Sequence, residues 1–410
     1  MLRPLDDEPR TPSTVDVGRA IADGRRRRRT RRAAGYAGAA VVTAFAVAGA
    51  SFAGGLITGH TPQNAATHSA VKPKPSASKA PTPKPPTSCT IDRLPVPDQE
   101  PMALVSGGDP TGRYIVGRTY PKAGGYQAVI WHDGEVRKVL LPDDGLEEGL
   151  EDVNSSGTAI GWSFAPSGDD ADQGQVPYVY RNGRVSKLPG VLRGAANAIN
   201  DAGAIVGENG SGDALLWTSA TAKPTRLAVP SRASESSAAD IDEDGTVVGT
   251  VDGLPYVWLP DGTQHQLPLP NLGGRPALNA TVYSIRNGWA TGVATNGGGT
   301  IGAKARGEQA KGEALSEAVR WNVRTGEVRE YAGLLAGANA VNAQGWQAGV
   351  DERGNAVFVA AKTIKLPSLA GQKTQPLANI ASSLSDDGRT IGGQSDDATG
   401  TIQAVVWRCK

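Results

Sequence analysis

The fold is decided by the stretch Ala196-Asn-Ala-Ile-Asn-Asp-Ala-Gly-Ala-Ile-Val-Gly207, which continues after a short gap into Ala214-Leu-Leu-Trp217. The same pattern occurs seven times between Ala103 and Trp407. Its final glycine falls at Gly117, Gly161, Gly207, Gly249, Gly292, Gly349 and Gly392. The spacings between these glycines are 44, 46, 42, 43, 57 and 43 residues, the period that is typical of one four-stranded propeller blade.

Each repeat contains the residue types of four short strands. A turn such as Asn200-Asp-Ala-Gly203 separates the first two strands, because Asn, Asp and Gly tolerate the positive φ of a tight turn. The third strand ends in an aromatic residue such as Trp217, and the fourth ends in Leu-Pro, as at Leu188-Pro189. The sequence therefore predicts an all-β, seven-bladed β-propeller, which protects its strand edges by closing on itself.

These motifs resemble the bacterial HAF-repeat family of extracellular proteins, whose repeats read Ile-Asn-x-x-Gly-x-Val-Gly followed by an Ala-Phe-x-Trp strand. The resemblance covers about Ala103 to Trp407. It implies a secreted or surface-exposed repeat domain, and it brings no shared catalytic residues.

The last repeat stops at its third strand, Ala404–Trp407, so blade seven needs a fourth strand from elsewhere. Ile91-Asp-Arg-Leu94-Pro95 reproduces the Leu-Pro ending of the other fourth strands, so residues 89–97 are predicted to complete the ring. This alignment places Cys89 and Cys409, the only two cysteines, where the other blades have their turn. We expect them to form a disulfide, as cysteines of an exported domain commonly do.

Three segments precede the repeats. Residues 1–32 have ten Arg against five acidic residues and are predicted to be a cytoplasmic tail, because positive charge stays on that side of a membrane. Residues 33–59 carry no charge and, as a helix rising ~1.5 Å per residue, would span the ~30 Å hydrocarbon core as a transmembrane signal anchor. A cleaved signal peptide is the alternative. Residues 60–88 contain seven Pro with Lys, Ser and Thr and are predicted to be an extended linker.

The predicted localisation is therefore a single-pass plasma-membrane protein with the propeller, residues 89–410, outside the cell. From Cys89 onward the chain has 28 basic and 36 acidic residues, a net charge of −8. Nucleic-acid binding is not expected, because it requires a basic surface that neutralises phosphates. Only His132 and His265 lie in the repeats, and no nucleophile motif is present, so we predict no catalytic residue and no cofactor.

One turn is unusually acidic. Asp240, Asp242 and Asp244, followed by Gly245, have the spacing that begins a calcium-binding loop. The loop's twelfth position is Val251, where a bidentate Glu would stand. The register also coincides with the turn of the best repeat, which favours a blade turn that happens to be acidic.

A ligand-binding site is predicted where long loops of neighbouring blades meet. The segment between the second and third strands is longer in blades one, two, five and seven than in the others. Blades seven, one and two are adjacent in a closed ring, so their loops should share one sector. The candidate residues are Tyr120, Tyr126, Trp162, Phe164, Asp169, Asp170, Asp172, Asp396 and Asp397, and the connection from blade one to blade two adds Asp143, Asp144, Glu147 and Glu148. Aromatic rings beside carboxylates suit a sugar polymer, a basic peptide or a cation.

The function that the sequence favours is a binding or scaffold module at the cell surface, with the membrane, a cell-wall polymer or a surface protein as partners. Two alternatives remain open. A pair of loop carboxylates would suffice for a hydrolase or lyase that acts on an exported polymer. A transmembrane sensor would instead use residues 1–32 to contact a cytoplasmic partner.

Overall fold

The computed structural model describes residues 83–122, 125–142, 147–164, 174–296, 315–331, 333–371 and 378–410. The predicted tail 1–32, the predicted anchor 33–59 and most of the linker 60–88 lie outside the described residues. Within those ranges, no helix has the length and apolar character of a membrane span. One short 3₁₀ turn, Pro97–Gln99, follows the first strand.

The strands form seven four-stranded antiparallel sheets and one small hairpin. In chain order, they are β1 (Cys89–Arg93), β2 (Met102–Gly108), β3 (Tyr114–Tyr120), β4 (Gln127–His132), β5 (Glu135–Lys138), β6 (Glu148–Val153), β7 (Ala159–Phe164), β8 (Gln175–Arg181), β9 (Arg184–Lys187), β10 (Gly194–Ile199), β11 (Ile205–Asn209), β12 (Ala214–Trp217), β13 (Thr225–Arg226), β14 (Ser236–Ile241), β15 (Val247–Val251), β16 (Leu254–Trp258), β17 (Gln264–Gln266), β18 (Asn271–Leu272), β19 (Arg275–Pro276), β20 (Asn279–Arg286), β21 (Trp289–Thr295), β22 (Ser316–Asn322), β23 (Glu327–Tyr331), β24 (Leu334–Val341), β25 (Gln347–Asp351), β26 (Ala356–Val359), β27 (Thr363–Lys365), β28 (Asn379–Leu384), β29 (Thr390–Asp396) and β30 (Ile402–Cys409).

The sheets are the blades of a propeller. Strands β2–β5 form blade one, and the following blades begin at β6, β10, β14, β20, β24 and β28. The first strand of each blade contacts the first strand of the next around the whole ring, so the first strands line the central axis. Hydrogen-bonded order follows chain order outward from that axis. The predicted seven-bladed β-propeller is confirmed.

The ring closes as the sequence predicts. Strand β1 pairs with β30 as the fourth strand of blade seven, with Cys89 opposite Cys409. The two sulfur atoms form a disulfide with an S–S distance of 2.06 Å. The first and last strands of the domain are therefore joined both by backbone hydrogen bonds and by a covalent bond.

Every innermost strand carries a β-bulge, which the sequence analysis did not predict. In blade three, the bulge lies between Ala196 and Ala198 of β10. It explains the repeat glycine: a Cβ on Gly207 would lie 2.0 Å from the carbonyl oxygen of Ala195. The assignment of Gly392 to this position in blade seven is wrong.

The glycine in register in blade seven is Gly393. It pairs with Ala381, the residue before the bulge of β28. A Cβ there would lie 2.0 Å from the carbonyl oxygen of Ile380. Two consecutive glycines fit the sequence pattern equally well, and only the bulge on the neighbouring strand distinguishes them.

The third-strand Trp and the Leu-Pro ending are two halves of one contact between blades. Trp217 donates its indole N–H to the carbonyl oxygen of Pro189, at the end of the preceding blade, over 3.0 Å. Trp131 of blade one makes the same bond, 2.7 Å long, to Pro95, which follows β1. Pro95 therefore accepts from blade one the same hydrogen bond that Pro189, at the end of blade two, accepts from blade three. Trp321 and Trp407 make the same bond to Pro268 and Pro367, and Trp258 makes it to Ala228, which stands in place of the proline.

The two ends of the ring differ. The end that carries the turns between first and second strands and between third and fourth strands is called the turn face here. The opposite end carries the loops between second and third strands and the connections between blades, and it is called the loop face. The disulfide replaces a third-to-fourth-strand turn and so lies on the turn face.

Candidate functional site

The loop face brings together the four aromatic residues that the sequence predicts as ligand contacts. Tyr120 ends β3 and meets Tyr126 edge-on, with ring centres 4.7 Å apart. Trp162 and Phe164 end β7 and form a second edge-on pair at 5.5 Å. Strand β3 of blade one contacts β6 of blade two, so the two pairs flank one boundary between blades.

A residue that the sequence analysis missed joins the two pairs. The guanidinium carbon of Arg118, from β3, lies 5.8 Å from the ring centre of Tyr120, 5.1 Å from that of Tyr126 and 5.9 Å from that of Trp162. Its Nε donates a 3.1 Å hydrogen bond to the hydroxyl of Tyr120. These five residues, Arg118, Tyr120, Tyr126, Trp162 and Phe164, are called the aromatic cluster below.

Two carboxyl groups adjoin the aromatic cluster. The indole N–H of Trp162 donates to Oε1 of Glu151, the bulge residue of β6. Burial raises the pKa of Glu151, against the Trp162 hydrogen bond and the charge of Arg118. Burial, followed by the negative charge of Glu147, likewise raises the pKa of Tyr126. The cluster therefore has hydrogen-bond donors and acceptors side by side.

The acidic candidates are placed differently. Asp143, Asp144, Asp169, Asp170 and Asp172 lie outside the described residues. Glu148 is buried and accepts hydrogen bonds from the amide N–H of Ala128 and from Gln127, so it holds blade two against blade one.

Asp396 and Asp397 end strand two of blade seven, on the same face. Oδ1 of Asp397 accepts the backbone N–H groups of Thr399 and Thr401, and Oδ2 pairs with Arg93 at 3.4 Å. Burial, followed by the charge of Asp397, raises the pKa of Asp396. The hydrogen bonds found for these two residues in the described part of the chain do not reach the aromatic rings.

The three aspartates whose spacing resembles the start of a calcium-binding loop, Asp240, Asp242 and Asp244, lie in three different environments. Asp240 faces the central cavity, Asp242 accepts the backbone N–H groups of Asn287 and Gly288 in the next blade, and Asp244 accepts that of Thr246. In the described residues, no group of three His, Cys, Asp or Glu side chains is arranged to hold a metal ion. Each carboxyl group accepts backbone hydrogen bonds, with Asp240 lying within strand β14 and Asp242 and Asp244 in the blade turn.

A central cavity of about 180 Å³ lies on the axis. It is lined by residues of the seven innermost strands, among them Asp152 and Asp240. Asp152 accepts the backbone N–H groups of Val153 and Ile199, and Asp240 accepts those of Ile241 and Ile285. Each carboxyl group therefore joins its own bulge to the next blade.

Burial changes the ionisation of both groups. Burial, followed by the charge of Asp240, raises the pKa of Asp152 to about 8, against the hydrogen bonds from the backbone. Burial raises the pKa of Asp240 to about 6. The two carboxyl groups thus titrate in the physiological range, which is far above the usual range of an aspartate.

An ion triplet lies at the turn-face end of the cavity. Arg286, from the turn of blade five, pairs with Asp386 of blade seven over 2.7 Å and with Glu243 of blade four. All three residues line the cavity. Burial lowers the pKa of Arg286, but the hydrogen bonds and charges of the two carboxylates outweigh it and leave the guanidinium charged.

The loop face also carries exposed apolar side chains. The large hydrophobic residues that are exposed in the described ranges all lie in loop-face segments: Leu140, Leu192, Leu278 and Leu315. Leu192 is 82% exposed. Isolated leucines of this kind are ordinary on a surface, but their confinement to one face adds to the contrast between the two ends of the ring.

Arg118 and the buried carboxyl groups escaped the sequence analysis for different reasons. A single Arg within a strand carries no spacing signal. The bulge position holds Ser106, Glu151, Asn197, Ala239, Tyr283, Asn339 and Ser382, residues with no common chemistry. An alignment of the seven repeats on the turn would have placed Asp152 and Asp240 in one column, which was the available signal.

Comparison with known proteins gives structural matches only. No protein-family model matches the chain, and no curated protein is similar to it in sequence. TolB from Acinetobacter baumannii is 14% identical, with 74% of this chain and 68% of that chain covered and a TM-score of 0.38. An oligogalacturonate lyase in complex with manganese is 10% identical (80% and 98% covered, TM-score 0.45), and YCF48 bound to D1 peptide is 10% identical (79% and 95% covered, TM-score 0.44). At these identities and TM-scores, the similarity carries no argument about a ligand.

Proposed function

We propose that this chain is a single-pass membrane protein whose propeller acts outside the cell as a binding module. The aromatic cluster on the loop face is its recognition site. The observation that supports this most directly is the convergence of three of the four predicted aromatic residues, from two blades, on the guanidinium group of Arg118, with the fourth, Phe164, packed against Trp162. Clustered aromatic rings on loops that a rigid scaffold positions are typical of binding sites.

The disulfide supports the location. Cys89 and Cys409 are fully paired, and such a bond persists in oxidising compartments outside the cytoplasm. The uncharged segment 33–59, the arginine-rich segment before it and the resemblance to HAF-repeat proteins point the same way. A reporter enzyme that is active only outside the cytoplasm should therefore be active when it is fused to the C-terminus. The mature protein should also retain residues 1–32. A soluble form that begins near Ser51 would contradict the anchor.

The binding site is tested by retention of the full-length chain on isolated cell-envelope material. The variants Tyr126→Ala and Phe164→Ala each remove an accessible ring, and together they should lower retention at least tenfold, on the order of 1–2 kcal/mol per ring. Tyr114→Ala is the matched control: this half-buried tyrosine lies on the turn face, where it stacks on His132 at 4.1 Å. Retention that is unchanged in the folded double variant would exclude the cluster.

A further inference from the structure

The aromatic cluster already contains a cation. Arg118 lies over the rings of three of its neighbours, and cation–π attraction holds the guanidinium there. Among the described residues it has no carboxylate partner within salt-bridge distance, and Nε is its hydrogen-bonding atom. A ligand that carried its own ammonium or guanidinium group would have to displace Arg118 and would be repelled by it. A basic peptide or a free cation is therefore a poor fit.

A polyanion fits poorly for the opposite reason. The folded domain carries a net charge of −8. Glu147 and Glu151 adjoin the cluster, and Asp396 and Asp397 lie on the same face. These negative charges would repel an anionic polymer as it approached the cluster, and the single positive charge of Arg118 is too small to cancel the repulsion.

The rings differ in what they offer a ligand. Trp162 is only 7% exposed, with its indole N–H bound to Glu151, so it supports the cluster from below. Tyr120, Tyr126 and Phe164 are partly exposed and supply the accessible apolar surface. Around them, Arg118 donates a hydrogen bond to the hydroxyl of Tyr120, and the hydroxyl of Tyr126 is hydrogen-bonded to Glu147, so donors and acceptors adjoin the rings. A site of this kind suits a flat, uncharged molecule that both donates and accepts hydrogen bonds.

From this geometry we infer that the aromatic cluster binds an uncharged pyranose chain. Sugar rings pack their C–H faces on Tyr126, Tyr120 and Phe164, while Arg118 donates to sugar hydroxyl oxygens and Glu147 accepts from sugar hydroxyl groups. Trp162 is a positioning residue that holds Arg118 and Phe164. The inference rests on the proposed function and narrows it to one class of ligand.

The test uses the purified full-length chain and an array of uncharged oligosaccharides that includes hexamers of N-acetylglucosamine, mannose and xylose. Hexagalacturonate and hexalysine are the charged probes. At least one uncharged oligosaccharide should bind, with a Kd that changes less than about twofold between 0.1 and 0.5 M salt, because no net charge is neutralised. Both charged probes should bind at least about tenfold more weakly.

Variants locate the binding. Tyr126→Ala and Arg118→Met should each weaken it about tenfold or more, whereas Tyr126→Phe, which keeps the ring, should stay within about threefold. Trp162→Phe tests whether Trp162 acts by positioning its neighbours. This variant keeps an apolar ring but loses the hydrogen bond to Glu151. It should weaken binding of every sugar without changing which sugar is preferred. Tyr114→Ala should bind as the parent does.

The outcomes separate this inference from the proposed function. If the chain is retained on cell envelopes through the cluster but prefers hexagalacturonate or hexalysine, or binds no uncharged glycan of the array, the sugar inference is overturned and the binding module stands. If envelope retention itself does not depend on Tyr126 and Phe164, the proposed function fails with it.

Discussion

The turn face and the loop face of this propeller are built from the same repeats, yet they are stabilised differently. On the turn face, side chains connect one blade to the next: Asn154 donates to the carbonyl oxygen of Asn200, and Asn200 donates to that of Asp242. The ion triplet and the disulfide lie at this end as well. The loop face also has contacts between blades, such as those of Glu148, but it adds partly exposed aromatic rings and exposed leucines. The difference teaches that the disulfide and the ion triplet reinforce one end of the ring, whereas the accessible rings of the site lie at the other end.

Among changes that test the contrast between the two faces, removal of the disulfide should cause the largest loss of unfolding free energy. Cys89→Ser removes a bond that closes a loop with a sequence separation of 320 residues. The chain-entropy model gives an upper figure of roughly 6 kcal/mol for the loss in unfolding free energy. Chemical denaturation without reductant measures it, and the double variant Cys89→Ser/Cys409→Ser should lose no more than the single one. An unchanged midpoint would show that backbone pairing alone closes the ring.

The second effect concerns the ion triplet. Arg286→Met leaves Glu243 and Asp386 without their shared cation beside the cavity, which should cost about 3 kcal/mol of unfolding free energy. Arg329→Met is the matched control, because the Arg329–Glu327 pair is largely exposed and should contribute less than about 1 kcal/mol. Equal losses in the two variants would contradict a special role for the turn face.

The third effect is a pH dependence that arises in the cavity behind the turn face. Asp152 has a raised folded-state pKa of about 8, so the folded protein holds its proton more tightly than the unfolded chain does. The resulting stabilisation is complete below the unfolded pKa, ~4, and is lost as pH rises through the folded value. Between pH 6 and 9 the unfolding free energy should fall on the order of 2 kcal/mol.

Denaturation midpoints measured at each pH provide the test. Asp152→Asn removes the titrating group and should flatten the slope, although it also loses one of the two backbone hydrogen bonds that the carboxyl group accepts. Asp261→Asn is the control, because that fully exposed carboxylate lies in an outer turn and has a lowered pKa. A slope that persists in Asp152→Asn would assign the pH dependence to other groups.

The smallest effect belongs to the loop face. Leu192→Ser changes a side chain that is 82% exposed, so unfolding free energy should change by less than about 0.5 kcal/mol. Thermal denaturation at matched protein concentration checks this. A larger loss would mean that the loop face contributes to ring stability, and the contrast between the faces would fail.

The sequence predicts most of this fold because its signals are short-range and repeated. The turns, the third-strand Trp and the Leu-Pro endings recur in each blade, and Leu94-Pro95 was sufficient to identify the displaced strand β1 and the pairing of Cys89 with Cys409. Where a signal did not recur, prediction failed. The choice between Gly392 and Gly393 depends on a bulge in the neighbouring strand, which two consecutive glycines do not reveal.

The candidate site was predicted in part for the same reason. Four aromatic residues could be assigned to one sector from loop length and blade order. Arg118 could not, because its importance comes from ring contacts across a blade boundary, and neither could the burial of Trp162 and Glu148. Distances between side chains of different blades depend on how the blades pack, which no local pattern records.

The bond between Trp131 and Pro95 has a consequence for the order of assembly. Among the strands of the described residues, β1 is synthesised first, yet its partner β30 is the last. Blade one therefore packs against a segment whose own sheet cannot form until β30 has been synthesised. Contacts of such long range form late in folding. Formation of the Cys89–Cys409 bond thus requires that all seven blades have been synthesised, and a product truncated before Cys409 would carry one free thiol.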